Sequence, residues 1–311
     1  MLSKDRRKKI GYFISWLALN FCSWLVMVMP RKLHYIFAAM IASLGYKFAK
    51  KQRIIAQESL KLAFGSQKDR QEIDKIVRDC FLGIAKSGLE LVYFMNKPNL
   101  LAGYVEITGK DKLDKALSKG NGVILVSAHF GNFPLLLGRL SVEGYKTAGI
   151  MRPMRNLRVE KLFMEKRISY GVKTIHSYPR NVCVSSSLRS LRDNEILFIP
   201  LDQNFGTSGV FVNFFGRKAA TATGPVILAS RTGSPILPCF IIRQEDNSHK
   251  IIFEDPIVIE ENKVDKEAII KYVQRITDII ESYIRKYPAE WGWIHRRWKS
   301  RPEKEGGVEN G

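Results

Sequence analysis

Apolar residues change from helical to strand-like spacing near residue 100 of the chain. Across 51–64 and 69–94 they recur at intervals of three and four, which predicts two helices. Short apolar runs bounded by turn residues predict strands at 105–109, 123–127, 145–151, 173–176, 195–201, 236–243 and 250–253. Helices are predicted between these runs and at 266–286, where Asp265 is the expected N-terminal cap. This alternation predicts an α/β fold with a mixed central sheet flanked by helices.

An uncharged apolar segment runs from Ile10 to Pro30, behind a basic cluster. Its length suits a bilayer span of about 20 residues, and Trp16 and Trp24 are residue types common at membrane interfaces. It is too long for a signal peptide and lacks a small-residue cleavage site, so we expect an uncleaved hydrophobic anchor helix. A long buried helix is the alternative. Basic residues flank both ends of the segment, so charge alone does not set its orientation.

These patterns divide the chain into three parts. Residues 1–46 form a basic N-terminus with membrane-anchoring helices, in which the apolar run at 33–46 is too short to span and predicts a surface-lying or core helix. Residues 47–302 form one α/β domain. The polar, glycine-rich tail at 303–311 is expected to be disordered.

The net charge of +20 implies an anionic partner: nucleic acid, anionic lipid or an acidic protein. Lysine and arginine are spread along the whole chain and form no recognisable nucleic-acid-binding module, so we expect no nucleic acid partner. The four cysteines are far apart and show no metal-binding or redox spacing, which predicts free thiols. We therefore expect neither a metal nor a redox cofactor, and the sequence leaves the oligomeric state open.

Three predicted strands end at polar residues, namely His129, Arg152 and Asp202. Taken singly, each has an ordinary structural explanation: a half-buried histidine, a solvated arginine, a capping aspartate. Ligands of α/β sheets bind outside the carboxyl ends of the strands. Three such residues at successive strand ends therefore predict one cleft.

Motifs around these residues occur in a recognisable order: a hydrophobic N-terminal segment, 122–129 ending in His129, Met151-Arg152-Pro153 with Asn156, 200–204, 210–216, 219–225 and 293–299. In this order they resemble the bacterial lipid A biosynthesis acyltransferases, within the lysophospholipid acyltransferase group. The resemblance covers roughly residues 15–302. It implies a glycerolipid acyltransferase-like fold.

The resemblance also implies a reaction. An acyl chain would pass from an acyl carrier protein thioester, less favourably from coenzyme A, to a hydroxyl of a lipid A precursor or a related envelope glycolipid. The acceptor would be an anionic lipid, and the work would be done at the cytoplasmic face of the bacterial inner membrane. His129 would be the general base, because imidazole can take a hydroxyl proton near neutral pH. The resemblance further implies a carboxylate five positions later that orients the ring.

At that position this sequence has Pro134, which cannot act as an acid. Three explanations stay open. Asp202 replaces the missing acid, Asn132 or a backbone carbonyl orients the ring, or the protein no longer catalyses. A catalytically silent lipid-binding relative and a lysophospholipid or aminolipid acyltransferase are therefore alternative functions.

The remaining candidate residues are expected to bind substrate: Gly131, Asn132, Arg155, Gln203, Asn204, Thr221 and Thr223. Arg152 is expected to contact a phosphate or the forming oxyanion, or else to pair with Asp202. Gly131 is expected to donate its amide to the oxyanion, and a simple tight turn is the alternative. Arg155 belongs to a basic stretch that suits acyl carrier protein or lipid phosphates, or is simply solvated.

Two further pairs of interpretations stay open, one for Thr221 and Thr223 before the helix expected at Pro225 and one for the tryptophans near the end of the chain. The two threonines bind phosphate or cap that helix. Three tryptophans with adjacent basic residues, at 291–298, predict an interfacial belt or a packed core.

Overall fold

The fold is described from a computed structural model, which covers residues 4–260 and 264–302. The tail predicted to be disordered, 303–311, lies outside the described residues. Ten helices occur in the described part: α1 Lys4–Val28, α2 Arg31–Phe48, α3 Lys50–Phe64, α4 Arg70–Phe94, α5 Lys110–Leu117, α6 Phe133–Val142, α7 Leu157–Ser169, α8 Arg180–Arg192, α9 Gly224–Thr232 and α10 Lys266–Lys286. The predicted cap of α10 is confirmed, since the Asp265 carboxylate accepts the Ala268 amide at 2.7 Å.

Seven strands form the central sheet: β1 Val105–Thr108, β2 Val123–Ser127, β3 Thr147–Met151, β4 Val172–His176, β5 Ile196–Pro200, β8 Ile236–Arg243 and β9 His249–Phe253. Their order is β1-β9-β8-β2-β5-β3-β4. Strands β8, β2, β5, β3 and β4 are parallel, and β9 runs antiparallel to β8. The predicted α/β fold with a mixed sheet is therefore confirmed.

The strands are apolar on both sides because helices cover both faces of the sheet. On one face, Ile124, Val126 and Ile199 join the core that includes α3 and α10. On the other, Leu125 and Phe198 join the core that includes α4 and α6. Neighbouring residues of one strand thus belong to different cores.

Strands β6 Val210–Phe214 and β7 Arg217–Thr221 form a two-stranded hairpin that was not predicted from the sequence. It is short, and its turn places Phe215 in the left-handed region at φ 54°, which a non-glycine residue seldom adopts. Phe214 and Phe215 pack against the last tryptophans of the chain. Because Trp291 and Trp293 are fully buried there, the predicted interfacial belt is wrong and the alternative of core packing is right.

Helices α1 and α2 lie on the surface of the domain. The segment from Arg6 to Val28 is long and apolar enough to cross a membrane. One face of α2 packs on α4 through His34, Ala38 and Ala42, and its other face is exposed. The helix predicted at 33–46 is present, and one of its faces packs into the core. The alternative of a long buried helix at 10–30 is wrong, because the outer face of α1 is exposed.

Candidate active site

His129 and Asp202 meet at the carboxyl edge of the sheet because of the register between β2 and β5. Ser127 pairs with Pro200, so the residues two positions further along each strand come side by side. The His129 Nδ1 lies 2.8 Å from the Asp202 Oδ1. Of the three explanations for the missing acid at position 134, the first therefore has the geometry that it requires.

The Asp202 carboxylate is buried and has a partner on each oxygen. Its Oδ2 accepts the Trp291 indole N–H at 2.8 Å, while Oδ1 faces His129. Burial raises the pKa of Asp202, but the charge of His129 and the hydrogen bonds from His129 and Trp291 outweigh burial and hold it well below its usual value. Burial lowers the pKa of His129, and the Asp202 charge and hydrogen bond outweigh it, so the net shift is upward. The pair is thus built to stabilise a protonated imidazole.

The second nitrogen of His129 faces the cleft. With the Nδ1 proton donated to Asp202, Nε2 carries the lone pair, and the Gln203 amide donates to it from 3.2 Å. The His129 side chain keeps 31% of its surface exposed, whereas that of Asp202 keeps none. A hydroxyl that enters the cleft and displaces the Gln203 amide therefore reaches the basic nitrogen and not the carboxylate.

A segment near the C-terminus holds the histidine loop in place. The Gly131 amide donates to the Glu290 carbonyl at 2.8 Å, and the Gly292 amide donates to the His129 carbonyl at 3.1 Å. Gly131 has φ 56°, and a Cβ there would lie 2.1 Å from the Ile241 carbonyl oxygen. Since its amide is already bonded, the predicted role of Gly131 as an oxyanion donor is wrong; the position needs glycine for its backbone.

Asn132 turns away from the cleft into a buried polar cluster. Its amide donates to the Glu90 carboxylate at 2.9 Å and to the Ser87 carbonyl at 3.2 Å. Glu90 also accepts from Arg243 at 2.9 Å and lies 3.0 Å from His249 Nε2. Asn132 therefore neither orients His129 nor contacts substrate, and both predictions for it are wrong. Burial raises the pKa of Glu90, but its hydrogen bonds and the charge of Arg243 lower it to about 2.

A cavity of about 1250 Å³ opens at His129. It is larger than the roughly 300–1,000 Å³ usual for small-molecule sites. Most of its lining is apolar, and Arg152, Gln203, Asn204 and Thr223 are among its polar residues. Pro134 is part of its wall. Such a chamber suits a long hydrocarbon chain whose polar end lies at the histidine.

Some of the remaining predicted residues line the cavity and others do not. Arg152 lines the cavity and forms no ion pair with another described residue. The predicted pair with Asp202 is therefore wrong, and the Asp202 carboxylate bonds His129 and Trp291 instead. Thr223 lines the cavity at the start of α9 and makes no capping bond with its side chain, so the capping alternative fails.

Thr221 is fully buried, and its hydroxyl accepts from the Arg297 guanidinium, so the predicted substrate contact is wrong. Asn204 lines the cavity while its amide donates to Ser300 at 3.1 Å. Arg155 is exposed and lies outside the cavity lining.

Two residues that build the site were missed from the sequence. Trp291 was grouped with the supposed belt, although its indole fixes Asp202. Glu90 gave one usable signal: it is a lone carboxylate within the apolar stretch 89–94 of a predicted helix, and a buried acid needs partners.

The fold and the site together define an α/β protein with a histidine–carboxylate pair at the mouth of a long apolar cavity. The family model for bacterial lipid A biosynthesis acyltransferases matches residues 2–300, so the chain belongs to that family of membrane-associated acyltransferases. It is similar to the lipid A biosynthesis palmitoleoyltransferase of Escherichia coli K12, with 26% identity over 94% of this chain and 92% of that protein. Identity to the lipid A biosynthesis lauroyltransferase of the same organism is 24% over 94% and 93%. A phosphatidylinositol mannoside acyltransferase of Mycolicibacterium smegmatis is 24% identical over 64% of each chain.

Proposed function

We propose that this protein moves a fatty acyl chain from an acyl carrier protein thioester to a hydroxyl of a lipid A precursor or a related envelope glycolipid. The proposal places the reaction at the cytoplasmic face of the bacterial inner membrane, where the donor is made. The observation that carries it is the position of His129 Nε2 at the mouth of the apolar cavity, with Asp202 on the other ring nitrogen. The names of the similar proteins support a glycolipid acceptor.

In the proposed reaction, His129 Nε2 takes the proton of the acceptor hydroxyl as its oxygen attacks the thioester carbonyl. The tetrahedral intermediate then collapses, the C–S bond breaks, and the thiolate takes the proton back from the imidazolium. A C–O ester bond replaces the thioester. Asp202 holds the Nδ1 tautomer and stabilises the imidazolium, the task of the carboxylate in serine hydrolases. Arg152, on the cavity wall, supplies positive charge to the oxyanion or to a substrate phosphate.

A net charge of +20 supports an acidic donor protein and an anionic acceptor. Arg155 and its basic neighbours around the start of α7 form the surface that we propose for one of these contacts. Gln203, Asn204 and Thr223, which line the cavity, are the proposed polar contacts of the acceptor.

The test is acyl transfer by the purified full chain in detergent. Radiolabelled lauroyl-acyl carrier protein and lauroyl-coenzyme A are supplied in turn, each with a lipid A precursor, a phosphatidylinositol mannoside or a lysophospholipid. We expect ester formation from the carrier protein with a glycolipid, and loss of it in His129→Ala. His176→Ala is the matched control, because His176 ends β4 but does not line the cavity.

Three results contradict the proposal in different ways. No ester with any acceptor supports a silent lipid-binding relative. Transfer to the lysophospholipid alone moves the protein to that substrate class. Unchanged activity in His129→Ala removes the general base from the mechanism.

A further inference from the structure

The Gln203 side chain occupies the place that an acceptor hydroxyl needs at His129. Its amide nitrogen lies 3.2 Å from the His129 Nε2. A hydroxyl that gives up its proton must come within about 2.6–3.2 Å of the same nitrogen. A neutral imidazole has one acceptor nitrogen, so the amide and a hydroxyl compete for it. The contact therefore withholds the general base until another group displaces the amide.

The loop that carries Gln203 is fixed at its backbone. The Gln203 carbonyl accepts from the guanidinium of Arg297 at 3.3 Å, and Arg297 is fully buried. One residue earlier, the Asp202 carbonyl lies 3.3 Å from the His295 Nε2. Two contacts from the C-terminal segment thus hold the backbone from which the Gln203 side chain projects.

The Gln203 side chain itself is free to change its rotamer. It is exposed, and within the described part of the chain its hydrogen bond to His129 is the one that it makes. The next side chain is different, because the Asn204 amide donates to the Ser300 hydroxyl at 3.1 Å and its oxygen accepts the Ser300 amide at 3.2 Å. A fixed backbone with an untethered side chain suits a group that leaves Nε2 and returns to it.

Water is the competing nucleophile in a transfer from a thioester. The His129 side chain is 31% exposed, so solvent reaches the base. A water bonded to Nε2 would give its proton to His129 as its oxygen attacked the thioester carbonyl. The C–S bond would then break, and the thiolate would take the proton back from the imidazolium. The products would be a free fatty acid and a thiol, and the acyl chain would be lost to the acceptor.

A tethered amide discriminates between water and a lipid hydroxyl. Water gains one hydrogen bond at Nε2, and for that bond the Gln203 amide must give up its own. A lipid acceptor makes further contacts in the cavity, and the free energy of these contacts drives the amide away. Arg152 and Thr223 line the cavity and are available for them. The displaced amide then lies beside the acceptor, where the contact proposed above for Gln203 forms.

We infer that Gln203 determines the specificity of the reaction for a lipid hydroxyl over water. Its amide keeps water from the His129 base, and the bound acceptor displaces the amide. The inference rests on the proposed function, because it assumes that the acyl chain passes to a hydroxyl. It adds a second task for Gln203, namely suppression of donor hydrolysis before the acceptor has bound.

Hydrolysis without an acceptor tests the inference. The purified full chain in detergent receives p-nitrophenyl laurate, and release of p-nitrophenolate measures the attack of water on the ester carbonyl. We expect Gln203→Ala to release it at least about tenfold faster than the unsubstituted protein, since a positioned general base contributes about 10²- to 10⁴-fold. The gain should disappear when His129→Ala is added. Gln71→Ala is the matched control, because Gln71 is exposed on α4 and does not line the cavity.

Gln203→Met separates the hydrogen bond from simple coverage of the base. Methionine has nearly the length of glutamine, but its thioether cannot donate to Nε2. We expect hydrolysis of the same ester to rise in this variant too. Hydrolysis no faster than that of the unsubstituted protein, in a variant that keeps its melting temperature, would overturn the assignment to the amide.

The pH dependence of transfer gives a readout that a general loss of structure would not produce. The amide bonds the neutral form of His129, so its removal raises the pKa of His129 before the acceptor binds. In Gln203→Ala we expect the acid limb of kcat/KM for the acceptor to move to higher pH, while that of kcat stays, because bound acceptor has already displaced the amide. The other charged or titratable groups facing His129, namely Asp202, His295 and Arg152 on the cavity wall, are unchanged.

The outcomes separate this inference from the proposed function. No gain of hydrolysis in a folded Gln203→Ala protein overturns the inference, and so does a gain that persists without His129. Ester formation by the unsubstituted protein together with no gain refutes only the inference. A gain together with no ester from any acceptor refutes only the proposed function. If Gln203→Ala does not fold, Gln203→Met gives the same test.

Discussion

The indole nitrogen of Trp291 donates a hydrogen bond to the Asp202 carboxylate at 2.8 Å, on the oxygen that does not face His129. Trp291 is thus a positioning residue that acts through Asp202. It comes from a segment 89 residues further along the chain. The ring itself is packed against Phe214, Trp293 and His295, so the donor has little freedom to move.

Trp291→Phe keeps an aromatic ring but removes this donor. The buried carboxylate then has an unsatisfied oxygen, which costs about 1–3 kcal/mol in hydrogen-bonded systems of this kind. We expect kcat to fall about 10- to 100-fold with little change in KM. Without the indole hydrogen bond, the negative charge of Asp202 stabilises the imidazolium of His129 more strongly. The pKa of His129 therefore rises, and the acid limb of the pH–rate profile moves to higher pH. Trp293→Phe is the control, because its indole donates to the Pro288 carbonyl instead; an equal effect there would contradict the positioning role.

Asp202→Asn removes the charge that raises the pKa of His129. Burial then acts alone and lowers that pKa below its ordinary value, so the acid limb of the pH–rate profile moves to lower pH. By analogy with the serine hydrolases, we expect kcat to fall by up to about 10⁴. The measurement is acyl transfer over pH 4.5 to 9. An acid limb that stays in place would mean that Asp202 does not set the protonation of His129.

Gly131→Ala places a methyl group against the Ile241 carbonyl oxygen. The histidine loop must shift to avoid it, so we expect loss of more than nine tenths of the activity together with a lower melting temperature. Gly120→Ala is a matched control, since Gly120 also has a positive φ, at 77°, but has no neighbouring atom within 4 Å of the added carbon. Equal losses in both variants would show that backbone strain, and not the contact, causes the effect.

Glu90→Gln tests the buried cluster that anchors Asn132. The pKa of Glu90 is about 2 in the folded protein, against about 4.3 for an unperturbed glutamate. Its ionised form therefore adds stability that is present above about pH 4.3 and is lost as the pH falls toward 2.

We expect Glu90→Gln to lower the free energy of unfolding at pH 7 by about 3–5 kcal/mol, because Arg243 is left without its partner. The part of the acid dependence that comes from Glu90 should disappear as well. Denaturant unfolding in detergent at several pH values measures both. Glu106→Gln, at an exposed ion pair with Lys250, should leave the curve unchanged; a similar loss there would contradict the special role of Glu90.

The strands and the meeting of His129 with Asp202 could be predicted, because each depends on a local apolar run that ends at a polar residue. The direction of the Asn132 side chain could not, since its partner Glu90 is 42 positions away. Gly131 was misread for the same reason: the Ile241 carbonyl that excludes a side chain belongs to a distant strand. The tryptophans near the end of the chain were ambiguous, because aromatic and basic residues alternate both in a packed core and at a lipid surface.

The bonds from Gly131 and Gly292 between the histidine loop and residues 290–292 have a consequence for biosynthesis. A polypeptide still emerging from the ribosome has β2 and His129 long before it has the segment that fixes them. The His129 imidazole is therefore not held in position until residues 290–292 have been made and have packed against the histidine loop. A chain that lacks this stretch lacks both the bonds that hold the histidine loop and the Trp291 indole that holds Asp202, so we expect it to be inactive.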